Sequence, residues 1–200
     1  AVLIQSLAAT GRYTIEVASS AVSVFFVVSG IAGLGLAPLL DRFDVRWIIV
    51  PGALLAAFGL WCIGSISETW ELYGVYALFG LGFSASGLLP ATTLISRWFV
   101  IQRARALSIA STGLSVGGML ITPISAYWVG DLGLPRAASF QALLYLLGVV
   151  PVTLWLLRSF PADLGLMPDG AAWQETPAAQ DGVHFAVAVK DPFFVWFNLS

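Results

Sequence analysis

Five uninterrupted, charge-free apolar stretches constrain this chain more than any other feature. They cover about residues 17–40, 47–67, 72–96, 106–130 and 137–157, each 21 to 25 residues long. At 1.5 Å of rise per residue, roughly 20 residues of helix cross a hydrocarbon core about 30 Å thick. Lipid offers no partner to a bare N–H or C=O, so each stretch must satisfy its own backbone as a helix. The sequence therefore predicts an all-α, multi-pass membrane bundle. Composition agrees: 58% of residues are hydrophobic and 10% charged, against about 25% charged in soluble domains. The net charge of −2 gives no basic surplus for nucleic acid. Cys62 is the single cysteine and His184 the single histidine, which excludes a multi-ligand metal site built on those residues and any disulfide within the chain.

Basic residues set the expected orientation. Arg42 and Arg46 lie between the first two spans, Arg97, Arg103 and Arg105 between the third and fourth, and Arg158 and Lys190 after the fifth. Only Arg12 and Arg136 lie on the other side, with Glu16, Glu68, Glu71 and Asp131. The positive-inside rule then makes the loops at 41–46, 97–105 and 158–191 cytoplasmic, in a protein of the cell membrane. Trp47, Trp70, Trp98, Trp128 and Trp155 fall near span ends, where an amphipathic ring suits the headgroup level.

The flanking segments read as parts of a larger bundle. Residues 1–11 are uncharged and too short to span, and resemble the end of a preceding helix. Residues 158–191, with Pro161, Gly165, Pro168, Gly170 and Pro177, form a connection longer than most loops in compact domains. Asp191-Pro192 then opens an apolar run, 192–200, that reads as the start of another span.

The motifs point to a family. Residues 35–46, GLAPLLDRFDVR, resemble the loop signature G-x-x-x-D-R-x-G-x-R-R of the major facilitator superfamily. Asp41, Arg42 and Arg46 match it, whereas Ala37, Asp44 and Trp47 depart from it. Arg97-Trp98-Phe99 followed by RARALSIASTGLSVGG at 103–118 is similar to the junction of helices four and five in monocarboxylate-porter-like members. PADLGLMPDG at 161–170 resembles a segment of their central loop. On that register the five spans are helices two to six of a twelve-helix fold, and the chain is its amino-terminal half. The resemblance implies that Asp41, Arg42 and Arg46 form a charge network gating the two halves. Tyr76 stands where proton-coupled drug antiporters of the superfamily carry an arginine before G-x-G, here Gly80 and Gly82, which argues against that subgroup.

Each motif also has a plainer reading. Anchoring by the positive-inside rule accounts for Arg97, Arg103 and Arg105. An acid adds nothing to that rule, so Asp41 asks for more. Gly113, Gly117 and Gly118 follow the small-x-x-x-small pattern of closely packed membrane helices, and packing alone explains them, as it does Gly74, Gly80, Gly82 and Gly87 of the third span; Pro123 offers a kink point beside the first three. In the superfamily, helices one, two, four and five line the cavity. The candidates for contact with solute are then Ser23 and Ser29, Tyr76, Ser84 and Ser86, and Ser111, Thr112 and Ser115, although hydroxyls in membrane helices often bond back to their own carbonyls. No charge lies within the five spans, so a cation pairing an anionic solute would come from helices outside them.

The function expected is secondary transport of a small organic solute, a monocarboxylate-type anion by the resemblance, through alternating access. Its partners would be the bilayer, the solute, a coupling ion and a carboxy-terminal half, with no cofactor and no nucleic acid. A facilitator for another solute class, or a non-transporting sensor on the same fold, are the alternatives. A membrane enzyme would need catalytic carboxylates or a histidine at one depth, and the spans carry neither. No P-loop sequence is present to bind ATP.

Overall fold

The computed structural model describes residues 14–66 and 68–168. The chain divides into two compact units, 1–170 and 171–200, and every described residue belongs to the first. The expected spans at 1–11 and 192–200, and the loop beyond 168, lie outside the described residues.

Six α-helices make up the described bundle: α1 Ile15–Arg42, α2 Arg46–Cys62, α3 Thr69–Ser86, α4 Leu88–Trp98, α5 Arg103–Leu132 and α6 Leu134–Trp155. A 3-10 turn, Ile63–Ser65, extends α2, and another, Pro161–Leu164, follows α6. α3 and α4 together act as one span, so five units are long and apolar enough to cross a membrane: Ile15–Arg42, Arg46–Ser65, Thr69–Trp98, Arg103–Leu132 and Leu134–Trp155. The described residues form a helical, multi-pass membrane bundle.

Local chemistry fixes several ends. Thr14 caps α1 by accepting from the Val17 amide at 3.3 Å, and Glu16 in the first turn suits the positive end of the helix dipole. Glu68 and Glu71 form a reciprocal capping box at the start of α3. The tight α5–α6 turn passes through Gly133 at φ +77°, a conformation open to glycine, and Pro135 opens α6.

α2 sits between α3 and α6, and α1 packs on α3. Glycine makes these contacts close. A methyl on Gly52 would stand 2.5 Å from Ala85 Cβ, one on Gly82 2.6 Å from the Gly52 carbonyl, and one on Gly80 2.7 Å from the Phe25 carbonyl. Two apolar clusters fill the bundle. One gathers Ala21, Ala57, Leu60, Ile63, Ile66, Leu72, Tyr76 and Ala142. The other, toward the Arg42 end, gathers Leu40, Val45, Ile48, Ile49, Ala85 and Leu94.

Two features depart from the sequence expectation. First, the third span is broken at Gly87. Pro90 carries no N–H, and its ring would strike the Ser86 carbonyl if the helix continued. The chain turns there, with the Gly87 amide donating to Phe83 O at 2.7 Å. A methyl at Gly87 would lie 2.6 Å from that same oxygen, which is why glycine occupies the turn. By contrast, α5 continues without interruption through Pro123. Second, Gly113, Gly117 and Gly118 pack against nothing: no described atom lies within 4 Å of a methyl placed on any of them. Ser125 is the buried residue of α5. Close backbone packing belongs instead to the glycines between α1, α2 and α3.

Candidate functional site

The Arg42 end of the bundle is closed by a polar network joining three chain segments. Arg97, in the last turn of α4, donates from Nη2 to the Leu40 carbonyl at 2.6 Å. The same nitrogen lies 3.5 Å from Asp41 Oδ1, and the guanidinium carbon sits 4.5 Å over the Phe160 ring. Arg97 is 13% exposed at its side chain and Asp41 79% exposed. The Arg97 Nη1 group is buried without a partner among the described residues.

The α1–α2 turn is tied to the chain leaving α6. Ser159 Oγ donates to Asp44 Oδ1 at 2.7 Å and accepts from the Val45 amide at 2.9 Å. Asp44 also takes the Arg46 amide at 3.0 Å, an Asx turn that starts α2. Arg46 donates from Nε to the Leu157 carbonyl at 2.7 Å and from Nη2 to the same oxygen. Trp98 Nε1 donates to the Arg158 carbonyl at 2.9 Å, which ties the end of α4 to the chain leaving α6. Arginine suits this end plate because its fork can hold one carbonyl with two donors while staying charged.

A second locus lies at the break. Phe26, Ser29, Gly30 and Gly33 of α1 face Phe83, Ser84, Leu88, Leu89 and Thr92 across an open, mostly apolar cleft of about 440 Å³. Most hydroxyls in the spans bond back along their own helix: Ser20 to Val17 O, Ser23 to Ser19 O, Thr112 to Ser108 O, Ser115 to Ser111 O. Ser84, only 6% exposed, is one of those that do not. Behind it, Ser86 Oγ bonds to Gly82 O at 2.7 Å and to Tyr145 Oη of α6 at 2.8 Å, fixing the turn from the other side.

The sequence candidates thus separate. Ser29 and Ser84 meet at one pocket. Ser86 lines a different cleft with Gly87, Ile95 and Thr153. Tyr76 belongs to an apolar core cluster rather than to a cavity. Ser23, Ser111, Thr112 and Ser115 are exposed and line none of these spaces. Asp41 and Arg97 meet, Arg46 joins the same end, and Arg42, Arg103 and Arg105 are exposed. Asp44, Ser159, Phe160, Gly33 and Thr92 were not expected. Asp44 was visible only as a departure from the loop signature, and Ser159 carried no local signal because its partners lie 114 and 115 residues away. Among the described residues no three His, Cys, Asp or Glu side chains gather as a metal site.

Comparison with known proteins follows this geometry. The family model of the Major Facilitator Superfamily matches residues 1–200. An MFS transporter of Aspergillus flavus, asaE, is 29% identical over 137 residues, covering 66% of this chain and 30% of that protein. The uncharacterized MFS-type transporter YcxA of Bacillus subtilis is 28% identical, covering 66% of this chain and 31% of that protein. The fujikurins efflux protein of Gibberella fujikuroi is 32% identical, covering 56% and 25%. The chain spans between a quarter and a third of the length of these curated relatives. With the match running along the whole sequence and the helices arranged as the amino-terminal half of that fold, the chain belongs to the major facilitator superfamily.

Proposed function

We propose that the full-length protein is a secondary active transporter that carries a small organic solute by alternating access. The observation that carries this reading is the break of the third span at Gly87 beside a mostly apolar cleft that carries the hydroxyls of Ser29, Ser84 and Thr92. Interrupted spans are where transporters place midplane sites, because irregular backbone is tolerated in a membrane only against protein or a cavity. The names of the relatives, all transporters or efflux proteins, support the same reading.

In this reading the Arg42 end is cytoplasmic, and its network is one face of the gate. Asp41 pairs with Arg97 while staying largely exposed, so its carboxylate is free to meet the other half, as the superfamily resemblance implies for Asp41, Arg42 and Arg46. Breaking that contact would shift the conformational equilibrium and leave the solute site in place. A monocarboxylate-type anion, the solute implied by the resemblance, needs a counter-charge. Arg46 and Arg97, the arginines drawn into the end plate, are engaged by carbonyls and Asp41. The counter-charge for such an anion then comes from helix one or from the other half.

The test is counterflow in proteoliposomes of the full-length protein, with radiolabelled lactate and benzoate and an uncharged aromatic alcohol as probes. Saturable counterflow of any of them without ATP is the expected result. Saturable binding with no counterflow for every probe would mean a sensor on a transporter fold. A thiol introduced by Ala178→Cys should react with an impermeant maleimide only after the membrane is opened; ready labelling of sealed, outside-out cells would reverse the orientation.

A further inference from the structure

The geometry points to the α1/α3–α4 pocket as the seat of the uncharged, hydrogen-bonding and apolar part of the solute. This inference rests on the transporter reading but is decided by a separate measurement. Three observations carry it.

Ser84 is the first. It is 94% buried, since 6% of its surface is exposed, and it makes no hydrogen bond among the described residues. Its Oγ points toward α1, 3.5 Å from where a Gly33 methyl would stand, and Gly33 is itself a wall of the pocket. Its Oγ is not one of the buried polar atoms left without a partner, which are Arg97 Nη1 and Gln141 Nε2 among the described residues; it stays reachable from the pocket, where a polar guest can bond to it. Ser86, Thr92, Thr93, Ser96 and Thr153, by contrast, each bond to a carbonyl three or four residues back.

The second is the wall chemistry. Ser29 adds another hydroxyl, and Thr92, whose proton is committed to Leu89 O at 2.9 Å, keeps lone pairs to accept. Phe26, Phe83, Leu88 and Leu89 supply apolar faces. No charged side chain among the described residues lines the space. A carboxylate seated there would give up part of its water for neutral hydroxyls alone, which is less favourable than for an uncharged group. An uncharged group that both donates and accepts, carried on a ring or short apolar body, matches the lining.

The third is size and shape. About 440 Å³ lies in the range of small-molecule sites, roughly 300–1,000 Å³. Gly30 and Gly33 keep α1 from filling it: nothing stands within 4 Å of a methyl on Gly30, and a methyl on Gly33 would reach only ordinary contact with Ser84 and Leu89.

The experiment uses the full-length protein in nanodiscs, freed of other reactive cysteines including Cys62, and carrying Ser29→Cys. The rate of N-ethylmaleimide labelling at position 29 is measured with resorcinol, an uncharged ring with two hydroxyls, and with benzoate, a ring of similar size bearing a carboxylate. Resorcinol should slow labelling, and benzoate should not at equal concentration. Ser84→Ala should weaken the protection by resorcinol about fivefold, the loss of one ordinary hydrogen bond. Gly33→Ala repeats the test without touching a serine, because its methyl intrudes on the pocket yet clashes with nothing.

Three outcomes overturn the assignment: no labelling at position 29, meaning that protein fills the pocket; benzoate protecting as well as resorcinol; or protection unchanged by both variants. Protection is read at equilibrium, so a protein that shows it without counterflow would refute transport and leave the site standing.

Discussion

Replacing Gly82 by alanine adds one methyl, and the structure states where it goes. It would stand 2.6 Å from the Gly52 carbonyl oxygen and 2.8 Å from Ala56 Cα, both backbone atoms of α2. Neither can rotate away as a side-chain tip could. Normal contact would require α2 and α3 to part by roughly 1 Å, across an interface that Gly52 makes equally tight from the other side. Overpacking of this kind costs about 1–3 kcal/mol. Alanine also brings a gain in helix propensity of about 1 kcal/mol, so a control is needed. Gly74→Ala supplies it: the residue lies in the same helix, receives the same gain, and has nothing within 4 Å of the new methyl. The difference between the two variants therefore isolates the contact. Thermal unfolding of the full-length protein in detergent, followed by tryptophan fluorescence, should place the Gly82→Ala midpoint clearly below that of Gly74→Ala. Equal midpoints, or the reverse order, would refute the claim that glycine–backbone contact holds α2 against α3.

Three further perturbations probe the end plate. Ser159→Ala should lower the unfolding midpoint by the equivalent of about 1–3 kcal/mol, because it strips the buried Val45 amide and the Asp44 carboxylate of a shared partner; hydrogen exchange at Val45 should quicken with it. Asp41→Asn should leave the midpoint near wild type, since exposed ion pairs contribute little. Arg97→Leu should lower it more, because the Leu40 carbonyl loses a donor and Phe160 its cation; a larger loss for Asp41→Asn, read in the same melts, would contradict this account.

The spans were legible because lipid imposes one rule on every residue of a span, and a charge-free run is a direct record of it. The break at Gly87 was not, because its cause is spread over a proline, a glycine and the carbonyls four positions before each, all inside one apolar run. Small-residue content pointed to the third span and to α5 alike: methyls on Gly113, Gly117 and Gly118 would meet no described atom within 4 Å, whereas Gly82 and Gly52 make their contact from two different helices. A pattern within one helix says that close approach is allowed; only the partner decides whether it occurs. The loop signature located Asp41 and Arg46 correctly at one end of the bundle, yet their partners, the Leu157 carbonyl and Arg97, depend on tertiary folding. Of eight hydroxyl and phenol candidates, Ser29 and Ser84 share a pocket, and that pairing needed the register of α1 against α3.

The end plate also has a place in time. Val45 and Asp44 wait for Ser159, 114 and 115 residues later in the chain, and Arg46 waits for the Leu157 carbonyl. At roughly 10 residues per second, a ribosome needs about ten seconds to supply them. Until then the first hairpin, α1 and α2, sits in the membrane with an arginine and an aspartate at its tip seeking partners. Delivery of the last described helix completes those bonds in one step. A nascent chain stalled before α6 would carry an unfinished tip, a chemical mark by which quality control could tell an incomplete bundle from a finished one.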